Sequence, residues 1–169
     1  DSECRVQLQV ESNDVAKTLA ALALAPAITA RHGTATIDVH WPGAPDAQFV
    51  GRLGGRIAVE AEDGQVLGVE PGAGGRALGL LSVGALQRRL TLDFTDLTGK
   101  GLAFDRVAGD FELRAGDAYT KNLVLKGPAA EVGIVGRTGL RDRDYDQTVK
   151  VTGNIGGPIV AAEIGRAHV

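Results

Sequence analysis

The chain has 169 residues, enough for one domain with a real core and too few for two large ones. A net charge of −3 and a pI near 5.6 exclude nucleic acid as the main partner, because phosphate binding needs a basic face. The single cysteine, Cys4, excludes an internal disulfide, and no apolar run approaches the roughly eighteen residues of a membrane-spanning helix.

In chain order, "CRVQLQV" alternates Cys4, Val6, Leu8 and Val10 against Arg5, Gln7 and Gln9, the pattern of a half-buried strand. No signal peptide precedes it and the first residue is not Met, so the chain is expected to open inside the folded part of a longer protein. "SNDVAKTLAALALAP" follows, with cap candidates Ser12 and Asn13 and with Val15, Leu19 and Leu22 at helical spacing. An amphipathic helix of about three turns, stopped by Pro26, is predicted there. His32 is expected in a turn before Gly33. "TATIDVHW" then places Ala35, Ile37, Val39 and Trp41 on one strand face and Thr36, Asp38 and His40 on the other. Pro42 to Gln48 reads as a loop, and "GRIAVEAEDGQVLGV" as a hairpin turned at Asp63-Gly64.

A second short helix is predicted over roughly 75–81, and then a meander. "RLTLDF" points Leu90, Leu92 and Phe94 inward, and "RVAGDFEL" points Val107, Gly109, Phe111 and Leu113 inward. Ala115-Gly116-Asp117 turns the chain into "YTKNLVLK", with Leu123 and Leu125. Gly127-Pro128 turns it into "AEVGIVG", with Val132 and Ile134, and the polar turn "LRDRDYD" leads to Val149 and Val151. Such short connections allow antiparallel pairing only. The expected fold is therefore mainly β: a curved antiparallel sheet, open like a groove, with two short α-helices.

Four patterns invite a sharper chemistry. Gly72, Gly74 and Ala77 fit G-x-G-x-x-[G/A], with Asp93 about twenty residues on. A dinucleotide site needs a parallel βαβ unit, whereas the flanking segments read as a hairpin arm and an alternating strand; a nucleotide-binding enzyme is the remote alternative. Asp142, Asp144 and Asp146 occupy positions 1, 3 and 5 of a calcium loop, but Gln147 and Gly153 stand where Gly and Glu belong. "TGKG" lacks the first glycine of a P-loop, and His32 and His40 sit in no nucleophile or metal motif. No cofactor, metal or catalytic residue is expected. Lys17, Arg31, Arg52, Arg56, Arg88 and Arg89 form no basic run and read as solvated charges.

Trp41-Pro42-Gly43, "GRIAVEAEDGQVLGVEPGAGGRALGLLS" and the long run from Ala85 to Leu140 together resemble the carboxyl-terminal region of the YhdP family, relatives of AsmA and TamB. The likeness covers most of residues 3 to 155 and is most specific from Pro71 to Gly136. It implies part of a large protein anchored in the inner membrane of a Gram-negative bacterium, crossing the periplasm as a curled antiparallel sheet. The inner surface of that sheet would carry phospholipid between inner and outer membranes, and no enzymatic activity is implied. On this resemblance residues 1–163 are one β-rich fragment, and the inward residues Leu90, Leu92, Phe94, Val107, Phe111, Leu113, Leu123, Leu125, Val132, Ile134, Val149 and Val151 line a lipid groove. Phospholipid acyl chains, membranes and possible further envelope proteins are the implied partners. A structural β-scaffold of the envelope without lipid cargo is the alternative. The last six residues, Ile164–Val169, resemble the translation of a sequencing adapter and are expected to be a non-native tail.

Overall fold

The computed structural model describes residues 3–24, 28–67, 102–128, 130–142, 144–153 and 160–162, with backbone alone for Val151 and 160–162. Among the described residues eight strands form one antiparallel sheet: β1 (Glu3–Ser12), β2 (Ile28–Pro42), β3 (Gly54–Val66), β4 (Leu102–Arg114), β5 (Asp117–Lys126), β6 (Ala130–Gly139), β7 (Asp144–Gly153) and β8 (Val160–Ala162). Their spatial order is their chain order, so each strand pairs with the one before and the one after it. The predicted antiparallel meander is therefore present, and it runs through all the described strands.

The register follows from the alternation. Val6 lies opposite Val39, Ile37 opposite Ile57, Ile57 opposite Phe111, Val107 opposite Leu125, Leu125 opposite Val132, and Val132 opposite Val151. Apolar residues thus share one face across the sheet. The other face carries an in-register row of Gln7, Asp38, Arg56, Glu112, Tyr119, Arg137 and Asp146. A slip of one residue would bring such a row onto the apolar face, so burial of that face fixes the register.

Two irregularities bend this plan. The first lies at Asp63, whose φ is +53°. In β2 the buried positions change parity between Ala30 and Gly33, and in β4 between Phe104 and Val107. In β3 the change falls between Ala61, which packs at the edge of the core, and buried Val66. These changes fall in adjacent registers, so the three strands crease along one line. Gly64 permits the crease, since a side chain there would overlap the Thr29 carbonyl and the Phe104 ring. The second irregularity is a bulge in β5, where register shifts between Thr120 and Leu123 against both neighbours. Asn122 closes it: its side-chain oxygen accepts from the Asp110 backbone N–H at 2.9 Å.

These features correct several expectations. Asp63-Gly64 does not turn a hairpin; β3 runs straight through it, because the positive φ serves the crease. The two-residue turn with positive φ at both positions is Ala115-Gly116, at +49° and +83°, as a type I′ hairpin requires. His32 is no turn residue: it lies inside β2 opposite Glu62. The first helix, α1 (Val15–Ala21), has two turns instead of three. Its cap is Asp14, which accepts from the Lys17 N–H at 3.1 Å, and Ala23 at φ +56° ends the segment before Pro26. The Pro42–Gln48 loop is present and leads into a single 3₁₀ turn, Phe49–Arg52. The second predicted helix, the Gly72 loop, Asp93, "TGKG" and the inward residues Leu90, Leu92 and Phe94 lie outside the described residues.

Candidate functional site

Among the described residues, buried apolar side chains form one cluster from β2 to β7. Phe104, Val107, Phe111, Leu113, Leu123, Leu125, Val132, Ile134 and Val149 are buried in one cluster, joined by Ala30 and Val66. Eight residues expected to face inward, Val107, Phe111, Leu113, Leu123, Leu125, Val132, Ile134 and Val149, are therefore brought together. Val151 pairs with Val132 through its backbone. Leu8 is exposed near the free side of β1, as are Leu22 and Leu24 just beyond α1. Helix α1 leans on the face through Val15, which meets Gly33, where any side chain would collide with it.

The face is graded along the strands. At the end where β2 begins and β4 begins, its side chains are aliphatic or aromatic: Ala30, Val66, Phe104, Leu125, Ala130 and Val132. At the opposite end, hydrogen-bonding groups enter. Thr120, Thr138 and Gln147 are all buried, and the Gln147 amide donates to the Thr138 hydroxyl at 2.9 Å. Thr120 and Gln147 flank Gly136 in register, so a residue without a side chain separates them. Among the described residues, three buried polar atoms lack a hydrogen-bond partner: Trp41 Nε1, Arg52 Nε and Thr120 Oγ1. All three lie at this same end. An unpaired buried donor is costly, about 1–3 kcal/mol, so their common location is informative.

The loops at the hydrogen-bonding end are tied together. Gly116 donates to the Leu53 carbonyl at 3.1 Å, and Leu140 donates to the Gly116 carbonyl at 3.0 Å. Trp41 packs on Phe49 with ring centroids 5.4 Å apart. On the outer face Arg137 bonds Asp144 at 2.6 and 3.0 Å and Asp117 at 3.2 Å, clamping β5, β6 and β7. The Asp144 bond, foremost, raises the Arg137 pKa above its ordinary value. Across the sheet, Arg5 bonds Asp38 at 2.8 and 2.6 Å, and Gln7 adds a third contact. These hydrogen bonds lower the Asp38 pKa to about 2.

Asp142, Asp144 and Asp146 do not converge as calcium ligands would. Asp142 pairs with Arg141, Asp144 belongs to the Arg137 clamp, and Asp146 lies in β7 opposite Arg137. Among the described residues no three His, Cys, Asp or Glu side chains are grouped to hold a metal, and no helix is long and apolar enough to cross a membrane. One constellation escaped sequence reasoning. Arg52 and Arg56, read as isolated charges, line one cleft together with Arg114. They are 62 residues apart at the widest, from Arg52 to Arg114, so no local pattern marks them.

Fold and face together define a class: a single antiparallel meander whose one apolar side is continuous across strands. The YhdP family model matches residues 1–164, and the chain belongs to that family. Over 130 residues it is 31% identical to the intermembrane phospholipid transporter YhdP of Escherichia coli (strain K12), covering 77% of this chain and 10% of that protein. The chain thus spans about a tenth of the length of that curated relative. No solved structure matches it.

Proposed function

We propose that the chain forms one section of a conduit that carries phospholipid between the inner and outer membranes of a Gram-negative envelope, supporting outer-membrane integrity. In this reading it is a periplasmic portion of an inner-membrane-anchored protein, and its cargo contacts are acyl chains. The observation that carries the proposal is the continuity of the apolar face across a sheet whose other side is charged. Kinship with a protein named as an intermembrane phospholipid transporter supports it. Val107, Phe111, Leu113, Leu123, Leu125, Val132, Ile134, Val149 and Val151 are the proposed lining, with Leu90, Leu92 and Phe94 proposed from sequence alone.

The physical case rests on transfer free energy. Each acyl CH₂ moved from water into an apolar site gains about 0.8 kcal/mol, so a free lipid does not cross an aqueous gap. An aliphatic surface resembles the bilayer interior, so loading from one membrane and release into another are nearly balanced. The reaction is a transfer without bond-making, and no side chain needs to act as acid, base or nucleophile. Delipidated chain titrated with a fluorescent phospholipid is expected to bind it saturably; no uptake, even with the flanking parts of the parent protein restored, contradicts the proposal.

A second reading has its own observation. Leu125, Ile134 and Phe104 are only 2–3% exposed, and a face so covered suits a structural scaffold without cargo. The same titration separates the two, since a scaffold binds no phospholipid at any concentration below aggregation.

A further inference from the structure

Among the described residues, two side chains on the inner face bury a donor without a partner, Thr120 and Trp41, and both stand at the hydrogen-bonding end. We propose that the Thr120 hydroxyl binds the carbonyl of an acyl ester and so orients a glycerophospholipid along the strands. Its acyl chains lie toward Phe104 and its headgroup toward the Ala115-Gly116 turn. The proposal rests on the lipid reading above and deepens it by assigning the direction in which the lipid lies.

The strand register puts Ile57, Phe111, Thr120, Gly136 and Gln147 in one row of the inner face. Gly55, Leu113, Ala118, Thr138 and Tyr145 form the next row, nearer the turns. Thr120 is 3% exposed, and its hydroxyl has no partner. Beside it, Gly136 has φ +143°, and a side chain there would run into the Asp146 carbonyl. The backbone thus holds one position of the row free of side chain. On its far side the Gln147 amide donates to the Thr138 hydroxyl at 2.9 Å. An unused hydroxyl proton therefore borders a gap in the row.

The group that fits is a neutral acceptor. Neither row carries a charged side chain, and Arg137 lies on the other face, between Tyr119 and Asp146. A phosphate taken out of water needs a cation, whereas an ester carbonyl needs only a donor. The direction follows from length. From Gly136 to Ala130, β6 covers about 20 Å at about 3.4 Å per residue, and half the hydrocarbon core of a bilayer is about 15 Å. Its inward side chains there, Ile134, Val132 and Ala130, are buried and apolar. In the opposite direction only the row of Leu113 and Ala118 precedes the Ala115-Gly116 turn, so an acyl chain would leave the sheet.

The test compares two fluorescent dioleyl-chain phospholipids with one headgroup, one ester-linked and one ether-linked, bound to the full chain. The ether lipid keeps the chains and the phosphate but lacks both carbonyls. The wild type is expected to hold the ester lipid about fivefold tighter, the scale of one neutral hydrogen bond. Thr120→Val is expected to abolish that preference, and Thr120→Ser to retain it. The ether lipid is expected to bind the wild type and both variants alike, which shows that the variants are folded. In the wild type alone, the infrared band of an isotope-labelled ester carbonyl is expected at lower frequency than in an alkane solvent. A band at the alkane position overturns the proposal, as does equal or weaker binding of the ester lipid by the wild type. A preference that survives in Thr120→Val, or is lost in Thr120→Ser, also overturns it. In each of these cases uptake of the ether lipid leaves the lipid reading standing, whereas failure of the wild type to bind either lipid removes that reading itself.

Discussion

The two ends of the inner face are built on opposite rules. Around Phe104, Leu125 and Val132 every buried side chain is apolar, and stability comes from removing that area from water. Around Thr120, Thr138 and Gln147 the same face buries polar atoms, two of its neighbours leave donors unpaired, and the sheet is clamped from outside by Arg137, Asp117 and Asp144. The first end looks optimised for packing, whereas the second gives up packing for unfilled hydrogen-bonding capacity. In one continuous sheet, that difference separates an end held by apolar packing from an end that buries polar atoms.

The largest effect is expected at the apolar end. Phe104, 2% exposed and pressed against Gly64, should cost about 3–5 kcal/mol on substitution by Ala, read as a shifted urea midpoint at constant slope. A loss below about 1 kcal/mol would show that this end is not the packed one. Next comes the clamp. Arg137→Met leaves Asp144 and Asp117 without their shared cation; with Arg137 about a quarter exposed, the loss should be about 1–2 kcal/mol. An unchanged midpoint would mean that the hydrogen-bonding end needs no outer support.

How much of this contrast could be read in the sequence depends on how local its causes are. The alternation in "RVAGDFEL", "NLVLK" and "AEVGIVG" specifies the inward face, since period two is a property of neighbouring residues. The Asp63-Gly64 pair misleads because a positive φ serves a bend within a strand as well as a hairpin turn, and the dipeptide alone does not say which. Ala115-Gly116 forms the true tight turn with a less telling sequence. The β5 bulge moves Thr120 onto the apolar face, and it depends on Asn122 meeting Asp110 in another strand. The arginine cleft is assembled from three separate strands or turns. Such features arise only once the register is set, and no window of sequence contains them.

Two smaller effects sharpen the comparison. Thr120→Val keeps the shape and removes an unpaired buried hydroxyl, so stability should stay level or rise by about 1 kcal/mol, while phospholipid affinity falls. A clear destabilisation would mean the hydroxyl has a partner within the fold. The smallest effect belongs to pH. Asp38 is held below its ordinary 3.8, at about 2, so its contribution to β1–β2 pairing is complete above about pH 4 and is lost as pH falls toward 2. An NMR titration of its carboxyl carbon should give a midpoint near 2; a midpoint near 4 would show that the Arg5 contact does not persist in solution.

Photo-crosslinking tests the central claim most directly. Two phospholipids are needed, one with a photoreactive group at the acyl tip and one with it at the headgroup, followed by peptide mapping of the labelled chain. The acyl-tip probe is predicted to label the apolar end, on peptides holding Phe104, Leu125 and Val132. The headgroup probe is predicted to label the hydrogen-bonding end, on peptides holding Thr120, Thr138 and Gln147. Reversed labelling would contradict the orientation, and labelling confined to the charged outer face, or none at all, would contradict the inner face as a lipid surface.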